Sequence, residues 1–175
     1  MIKNWFQYIK EDYNGDAIIS DIEQQDIPEV LNVCAKVFGD VDSEEDVKEY
    51  LSSVTDWNIS KKAVVGGKIV GAYLFNEQPI TEFLEGCDCT TEDVSKYANL
   101  RGIQGLGLAL LPECRGTGIG RKMRDIPLHM GYDYIWGQHL KSLHNIDQWL
   151  KFGRRVVADG MIGEDDLYVT LMDLK

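Results

Sequence analysis

The stretch that decides the fold runs from residue 108 to residue 122 and reads Leu108-Ala109-Leu110-Leu111-Pro112-Glu113-Cys114-Arg115-Gly116-Thr117-Gly118-Ile119-Gly120-Arg121-Lys122. Its apolar first part predicts a buried strand, and its last part predicts the start of a helix. Free N–H groups and the helix dipole make such a start a binding site for anions. The three glycines between strand and helix allow a phosphate to approach the backbone closely. The stretch therefore predicts a phosphate-binding turn.

Two better-known phosphate loops fit this turn less well. A P-loop ends in Gly-Lys-Ser/Thr, whereas Gly120 is followed by Arg121. A dinucleotide-binding fingerprint requires a glycine where Arg121 stands. Glycine spacing alone also leaves a structural turn without a ligand open.

The distribution of charge supports an anionic ligand at this turn. The chain has 29 acidic and 18 basic residues and a net charge of −11, which argues against direct nucleic-acid binding. Residues 115–124 nevertheless contain four basic residues and no acidic one. One basic patch in an acidic protein indicates an anion held in one place.

Working outward from the turn, apolar periodicity predicts the order β-α-α-β-β-β-α-β-α-β-β, a mixed α/β domain over residues 1–175. The expected strands are 16–20, 57–65, 68–76, 102–111, 134–138, 155–158 and 167–172. Helices are expected after the caps Asp26 and Ser43, at 118–126 and at 143–152. Residues 1–15 form a predicted helical extension. Residues 77–98 form an irregular insertion, with a short helix capped by Thr90 or Thr91 and ending near Leu100.

The central stretch resembles the acetyl-CoA motif of the GCN5-related N-acetyltransferase superfamily, Arg/Gln-x-x-Gly-x-Gly/Ala. Arg115, Gly118 and Gly120 fill its fixed positions, and the preceding Leu-x-Leu-x-Pro-Glu is similar to the family's usual strand ending. A weaker resemblance covers residues 149–153. The family likeness implies a twisted mixed sheet of six to seven strands flanked by helices, and an N-acetyltransferase that transfers acetyl from acetyl-CoA to a primary amine by direct attack in a ternary complex.

The resemblance also implies roles for individual residues. Backbone amides around the turn would hold the pyrophosphate, and the end of the strand would pair with the pantetheine arm. The Leu110 N–H would stabilise the thioester oxyanion. The cofactor-binding residues implied in this way are Leu108, Ala109, Leu110, Arg115, Gly116, Thr117, Gly118, Ile119, Gly120 and Arg121.

Two positions depart from the family pattern. Trp149 stands where many members have a tyrosine that protonates the departing thiolate, and an indole N–H is no usable acid. Gln104 stands where many have a glutamate base, and an amide cannot take the proton. The replacement candidates are His139, His144, Glu77 and Tyr168. His144 is the first choice because its segment is expected beside the thioester.

The remaining features set expectations about environment and partners. No stretch reaches the roughly 18 apolar residues of a membrane span, and the N-terminus lacks the pattern of a signal peptide, so a cytoplasmic location is expected. Cys34, Cys87, Cys89 and Cys114 are expected to be reduced thiols, and no spacing suggests a metal site.

The acceptor is expected to be an amine, either a cationic small molecule or a basic peptide. An acid-rich run at residues 40–49 would attract such a substrate, although a solvated helix face explains it as well. Oligomeric state stays open, with a homodimer as one option. Two other functions stay open: a catalytically weak CoA-binding sensor or interaction protein of the same fold, and an acidic decoy for a nucleic-acid-binding protein.

Overall fold

The computed structural model of the chain describes residues 17–39, 43–143 and 146–175. The predicted N-terminal extension at 1–15 lies outside the described residues. So do His144, the predicted base, and Asp40 and Asp42 of the acidic run.

Within these residues, strands and helices follow the predicted order, with one addition, a short helix between the third and fourth strands. The strands are β1 (Ile18–Asp21), β2 (Lys61–Val65), β3 (Lys68–Asn76), β4 (Gly102–Leu110), β5 (Tyr134–Leu140), β6 (Arg155–Ile162) and β7 (Asp165–Asp173). The α-helices are α1 (Ile27–Phe38), α2 (Glu44–Val54), α3 (Ile80–Phe83), α4 (Ile119–Arg124) and α5 (Ile146–Leu150).

The strands form one seven-stranded sheet in the order β1-β2-β3-β4-β5-β7-β6. β1 pairs with β2, β2 with β3, β5 with β7, and β6 with β7, all antiparallel. β4 and β5 pair in parallel, from Gly102↔Tyr134 to Gln104↔Trp136. This mixed sheet with flanking helices confirms the predicted fold class.

The chain divides into two compact units, and the expectation of a single domain stays a prediction. The first unit holds the described residues up to Phe75 together with Gly107–Ile126. Its core includes the apolar stripe of α1, at Val30, Val33 and Cys34, all buried. Val33 and Cys34 follow Val30 by three and four positions and so lie on the same face of the helix. α2 begins at Ser43, whose side chain accepts a hydrogen bond from the Asp46 amide, as the capping pattern predicts.

The second unit holds Asn76–Leu106 and Pro127–Lys175. Its core is formed by Ile80, Leu84, Tyr97, Tyr134, Trp136, Val157, Ala158, Val169 and Leu171. The first three of these belong to the predicted insertion. The Trp136 Nε1–H donates to the Gln78 carbonyl at 2.7 Å, and the Ile80 amide donates to the Tyr134 hydroxyl at 3.1 Å. The segment 77–98 therefore contributes to this core.

The predicted helix ending near Leu100 is wrong. Thr90 forms a β-bridge with Ala158, and the Thr91 amide donates to the Val157 carbonyl at 2.9 Å. These threonines therefore extend the edge of β6 instead of capping a helix. Only a single 3-10 turn, Ser95–Tyr97, follows them, and α3 lies earlier in the segment.

Two further expectations are corrected. Strand β2 begins at Lys61 and not at Trp57, because the Asp56 side chain accepts from the Asn58 amide and its carbonyl accepts from the Ser60 amide, closing a turn. Cys87 and Cys89 are joined by a disulfide, whereas Cys34 and Cys114 are free and buried.

No helix in the described ranges combines the length and the apolar character needed to cross a membrane.

Gly71 of β3 is expected to control the stability of the first unit. A Cβ on Gly71 would lie 2.8 Å from the Ala109 carbonyl oxygen, whereas one on Gly120 would have 3.6 Å to its nearest atom, Leu110 Cδ2. Gly71→Ala should therefore lower the free energy of unfolding by about 1–3 kcal/mol. Gly120→Ala, which has the same effect on the unfolded chain, should cause no loss. Urea denaturation compares the two variants, and equal midpoints would contradict the close approach.

Candidate functional site

The turn after β4 is built from two left-handed glycines. A 3-10 turn at Pro112–Cys114 follows the strand. Gly116 and Gly118 then adopt φ values of 80° and 86°, in the region that side chains disfavour. The Thr117 hydroxyl donates to the Cys114 carbonyl at 2.6 Å and fixes the turn between the two glycines. α4 begins directly afterwards, and its first-turn N–H groups have no partner within the helix.

The space beside this turn fits a phosphate group. An added Cβ on Gly116 or Gly118 would meet no atom within 4 Å, and one on Gly120 would meet only Leu110. Coenzyme A, which the resemblance implies, needs this kind of open backbone at its pyrophosphate. The residues present therefore fit the cofactor, with backbone N–H groups as donors.

Basic side chains are available at the same place. Arg115, Arg121 and Lys122 are exposed, and none of them forms a salt bridge with a carboxylate in the described part of the chain. Arg124, the fourth base of the patch, pairs with Asp125 at 3.0 Å. Three cations thus remain for an anionic ligand.

The end of β4 is fixed against β3 on one side. The Leu111 amide donates to the Val70 carbonyl at 2.9 Å. Successive N–H groups of an extended strand point to opposite edges, so the Leu110 N–H points away from β3. The Leu108 N–H has the same direction. Ala109, between them, is buried.

Cys114 borders the turn but packs into the core. It is buried, and burial, followed by the charge of Glu113, raises the pKa of its thiol. A thiol held protonated is a poor nucleophile. This agrees with the prediction that Cys114 serves packing.

In the second unit, His139 belongs to a polar cluster with Thr170, Arg154 and Trp149. The His139 Nε2 atom lies 2.9 Å from the Thr170 hydroxyl, to which Arg154 donates at 3.3 Å. The guanidinium lies 4.7 Å from the centre of the Trp149 ring, and the His139 ring lies 5.4 Å from it. Burial, followed by the charge of Arg154, lowers the pKa of His139 to about 4. His139 is therefore neutral at pH 7.

The other predicted site residues of the second unit are placed differently. Gln104 is buried in β4, at 4% exposure. Glu77 is exposed and pairs with Arg101 at 3.4 Å, and the Tyr168 ring lies below the Lys141 ammonium, 5.1 Å from its centre. Among the described candidates for the base, His139 alone combines partial burial with a neutral ring. The contact of His139 with Thr170 spans 31 positions along the chain, so no local pattern in the sequence indicated it.

The lowered pKa of His139 predicts a pH dependence of stability. The unfolded chain binds this proton near pH 6.5 and the folded chain only near pH 4. The stability is therefore fully present above pH 6.5 and is lost as the pH falls toward 4. We expect a loss on the order of 1–3 kcal/mol from this group. His139→Gln should remove this part of the decline in the thermal midpoint.

The matched control is His129→Gln, because His129 is exposed. This variant should retain the wild-type decline between pH 6.5 and pH 4. Parallel curves for wild type and His139→Gln would show that His139 is not buried in its neutral form.

Neither a protein-family model nor a curated protein sequence matches the chain. Solved structures do. The ribosomal-protein-S18-alanine N-acetyltransferase from Escherichia coli aligns with a TM-score of 0.63 at 14% identity, covering 91% of this chain and 94% of its own. A polyamine N-acetyltransferase from Drosophila melanogaster gives 0.65 at 13%, covering 90% and 100%. A GNAT-family protein from Desulfovibrio desulfuricans gives 0.62 at 13%, covering 91% and 99%.

These alignments extend over nearly the whole length of both partners. The chain therefore has the fold of the GCN5-related N-acetyltransferase superfamily.

Proposed function

We propose that the chain is an N-acetyltransferase that moves the acetyl group of acetyl-CoA to a primary amine by direct attack in a ternary complex. The observation that carries this proposal is the turn after β4. Its glycines leave open space beside the backbone, and three cations beside it have no carboxylate partner among the described residues. Two structural neighbours are named as N-acetyltransferases, one for a ribosomal-protein alanine and one for polyamines, which supports an amine as the acceptor.

Residues 115–121 would hold the pyrophosphate. The N–H groups of Gly116, Thr117, Gly118, Ile119 and Gly120 would donate to its oxygens, and Arg115 and Arg121 would neutralise its charge. Backbone groups of Leu108, Ala109 and Leu110 would bind the pantetheine arm as an added strand. Bound acetyl-CoA would supply a thioester as the acyl donor.

The Leu110 N–H is the proposed oxyanion donor. Its direction away from β3 follows from the bond between the Leu111 amide and Val70. A backbone donor at this position needs no reorganisation when negative charge develops on the thioester oxygen, which is the basis of oxyanion stabilisation.

The proton of the attacking amine needs an acceptor. Gln104 cannot take it. His144 lies outside the described residues and stays our first proposal, with His139 as the alternative that its neutral form supports. The departing thiolate needs less help, because a thiol pKa near 8.5 makes it a stable leaving group at neutral pH. The loss of the family's acid at Trp149 should therefore slow the reaction less than the loss of its base at Gln104.

For the acceptor we propose a cationic small molecule or a basic peptide, in the cytoplasm. The exposed side chains of Glu44 and Glu45 at the start of α2 support this, since they would attract a cation by charge. Acceptor pKa also matters. At pH 7.4 only about a thousandth of a lysine-like amine is neutral, whereas a substantial fraction of an α-amino group is.

Calorimetry with CoA, followed by a thiol-release screen with acetyl-CoA against amines and basic peptides, tests the proposal. Tight CoA binding with turnover on one acceptor class supports it. CoA binding without turnover on any amine would favour a CoA-binding sensor of the same fold. Absence of CoA binding would contradict both readings.

Gly120→Glu should abolish CoA binding. The added carboxylate would enter the open space beside the turn and repel the pyrophosphate. The thermal midpoint without ligand should change little, because the nearest atom to the new Cβ is 3.6 Å away. We expect at least a hundredfold weaker binding by calorimetry. Ser52→Glu, an exposed position on α2 with the same charge change, should bind CoA like the wild type, and unchanged affinity in Gly120→Glu would refute the turn as the cofactor site.

Gln104→Glu should raise turnover with amines of high pKa. Burial at this position would raise the pKa of the new carboxyl toward neutrality, where a general base is most effective, and such help is worth roughly 10²–10⁴-fold. The gain should be small for α-amino acceptors, and Gln104→Met should show none.

The measurement is turnover against pH for two amines that differ in pKa. Wild-type turnover on the high-pKa amine should rise steeply with pH, following the neutral fraction of the amine. A flat wild-type profile near neutrality would mean that another residue already serves as base.

A further inference from the structure

The disulfide between Cys87 and Cys89 lies outside the residues that the proposed function uses. Only Asp88 separates the two cysteines, and their Cα atoms are 5.5 Å apart. Both cysteines are partly buried, and Asp88 is exposed. A cavity of about 520 Å³ opens at this turn, with both cysteines in its lining. The turn that carries the disulfide therefore faces a space large enough for a small thiol.

The backbone holds the two cysteines unequally. The Cys89 carbonyl accepts from the Asp159 amide of β6 at 3.0 Å, and the neighbouring Thr90 bridges to Ala158. Cys87, in contrast, donates only a local bond from its amide to the Leu84 carbonyl, at 3.1 Å. Cleavage of the disulfide therefore leaves Cys89 fixed on the edge of β6. Cys87 stays tethered next to it and can re-form the bond.

The two sulfur atoms also differ. The Cys89 amide donates to the Cys87 sulfur at 3.4 Å. A hydrogen bond to sulfur stabilises the thiolate, and a stabilised thiolate leaves faster in thiol–disulfide exchange. Attack is thereby directed to the Cys89 sulfur, with Cys87 as the leaving group.

Two carboxylates in the lining of the cavity carry charge that would act on an incoming thiol. Glu85 and Asp88 line it and are exposed, and neither forms a salt bridge in the described part of the chain. Their charge repels an anionic thiol such as glutathione more than an uncharged one. The apolar wall of Phe83, Met161 and Ile162 accepts an uncharged carbon chain.

We propose that Cys87 and Cys89 form a reversible thiol–disulfide exchange site whose substrate is an uncharged dithiol. One thiolate of the dithiol attacks the Cys89 sulfur, the disulfide breaks, and Cys87 leaves as a thiolate that takes up a proton. The second thiol of the reagent then attacks the mixed disulfide, releases the Cys89 thiol and leaves the reagent as a disulfide. Two electrons pass from the dithiol to the protein.

The first test uses the full-length wild type and mass spectrometry. The protein is oxidised with oxidised dithiothreitol, then alkylated, and the peptide that contains residues 87–89 is analysed. We expect the mass of this peptide to be lower by two hydrogens than that of its dithiol form, and we expect the peptide to resist alkylation. A brief incubation with reduced dithiothreitol should make both cysteines reactive toward the alkylating reagent without unfolding the protein. Reoxidation should restore the disulfide. Two free thiols after the oxidising step would overturn the proposal.

The second test compares Cys89→Ser with Cys87→Ser. Each variant retains one thiol at the turn, and the residue 89 amide is present in both. The Cys87 thiol of Cys89→Ser should react with iodoacetamide about threefold to tenfold faster at neutral pH than the Cys89 thiol of Cys87→Ser, as expected for a thiol of lower pKa. Equal rates, or the reverse order, would overturn the assignment of Cys87 as leaving group.

The third test addresses selectivity through the carboxylates. The double variant Glu85→Gln and Asp88→Asn should raise the rate of reduction by glutathione about threefold or more, and leave that by uncharged 2-mercaptoethanol nearly unchanged. An equal effect on both thiols would overturn the role of the carboxylates. Thermal midpoints of all variants check that each one is folded.

Discussion

The close approach of β3 and β4 at Gly71 is the constraint on which the candidate cofactor site depends. A side chain at this position would meet the Ala109 carbonyl at 2.8 Å, so only glycine lets the two strands lie this close. The Leu110 side chain then lies between Gly71 and Gly120, near the positions where each would have a Cβ. The bond from the Leu111 amide to Val70 fixes where β4 ends. The distance between the strand end and the glycine turn is thereby fixed, and a ligand that contacts both requires such a fixed distance.

The second unit depends on the aromatic residues of β5. Tyr134 and Trp136 are fully buried and bind the backbone of Ile80 and Gln78 through their polar atoms. Arg155 adds bonds to Glu92 at 3.1 Å and to Asp173 at 3.0 Å, which join the segment 77–98 to β6 and β7. Buried polar groups with partners specify one arrangement of a core, since any other would leave them unsatisfied. The segment that reads as an insertion is thus part of the structure that positions β5.

Local patterns in the sequence predicted the elements whose stability is itself local. The glycine turn, the cap at Ser43 and the hairpin strand Lys68–Asn76 follow from neighbouring residues. The predicted cap at Asp26 is wrong, because its side chain makes no capping bond to α1 and instead accepts from the Glu23 amide and pairs with Lys62. The features that the sequence did not predict depend on contacts between residues far apart along the chain. Thr91 bonds to a carbonyl 65 positions away, and no local signal distinguishes that bond from a helix cap. The environment of His139 likewise depends on Thr170 and Arg154. The close spacing of Cys87 and Cys89 was the one signal in the sequence that could have indicated their disulfide.

The polar cluster of the second unit bears on how the amine proton is handled. An added Cβ on Gly137 would lie 3.0 Å from Arg154, 3.1 Å from the Gly105 carbonyl and 3.8 Å from His139, so the residue next to Gln104 lies in the same neighbourhood. Its ionisable groups are the neutral imidazole of His139 and the cationic guanidinium of Arg154. The side chain of Gln104 lies on the opposite face of the sheet, beside Trp136. Burial, followed by the charge of Arg154, disfavours a second positive charge here, as the lowered pKa of His139 shows. An acceptor amine bound in this neighbourhood would be shifted toward its neutral form by the same two effects, burial and the charge of Arg154. Binding as the free base would reduce the need for a strong general base, which offers a physical reason why glutamine can stand at position 104.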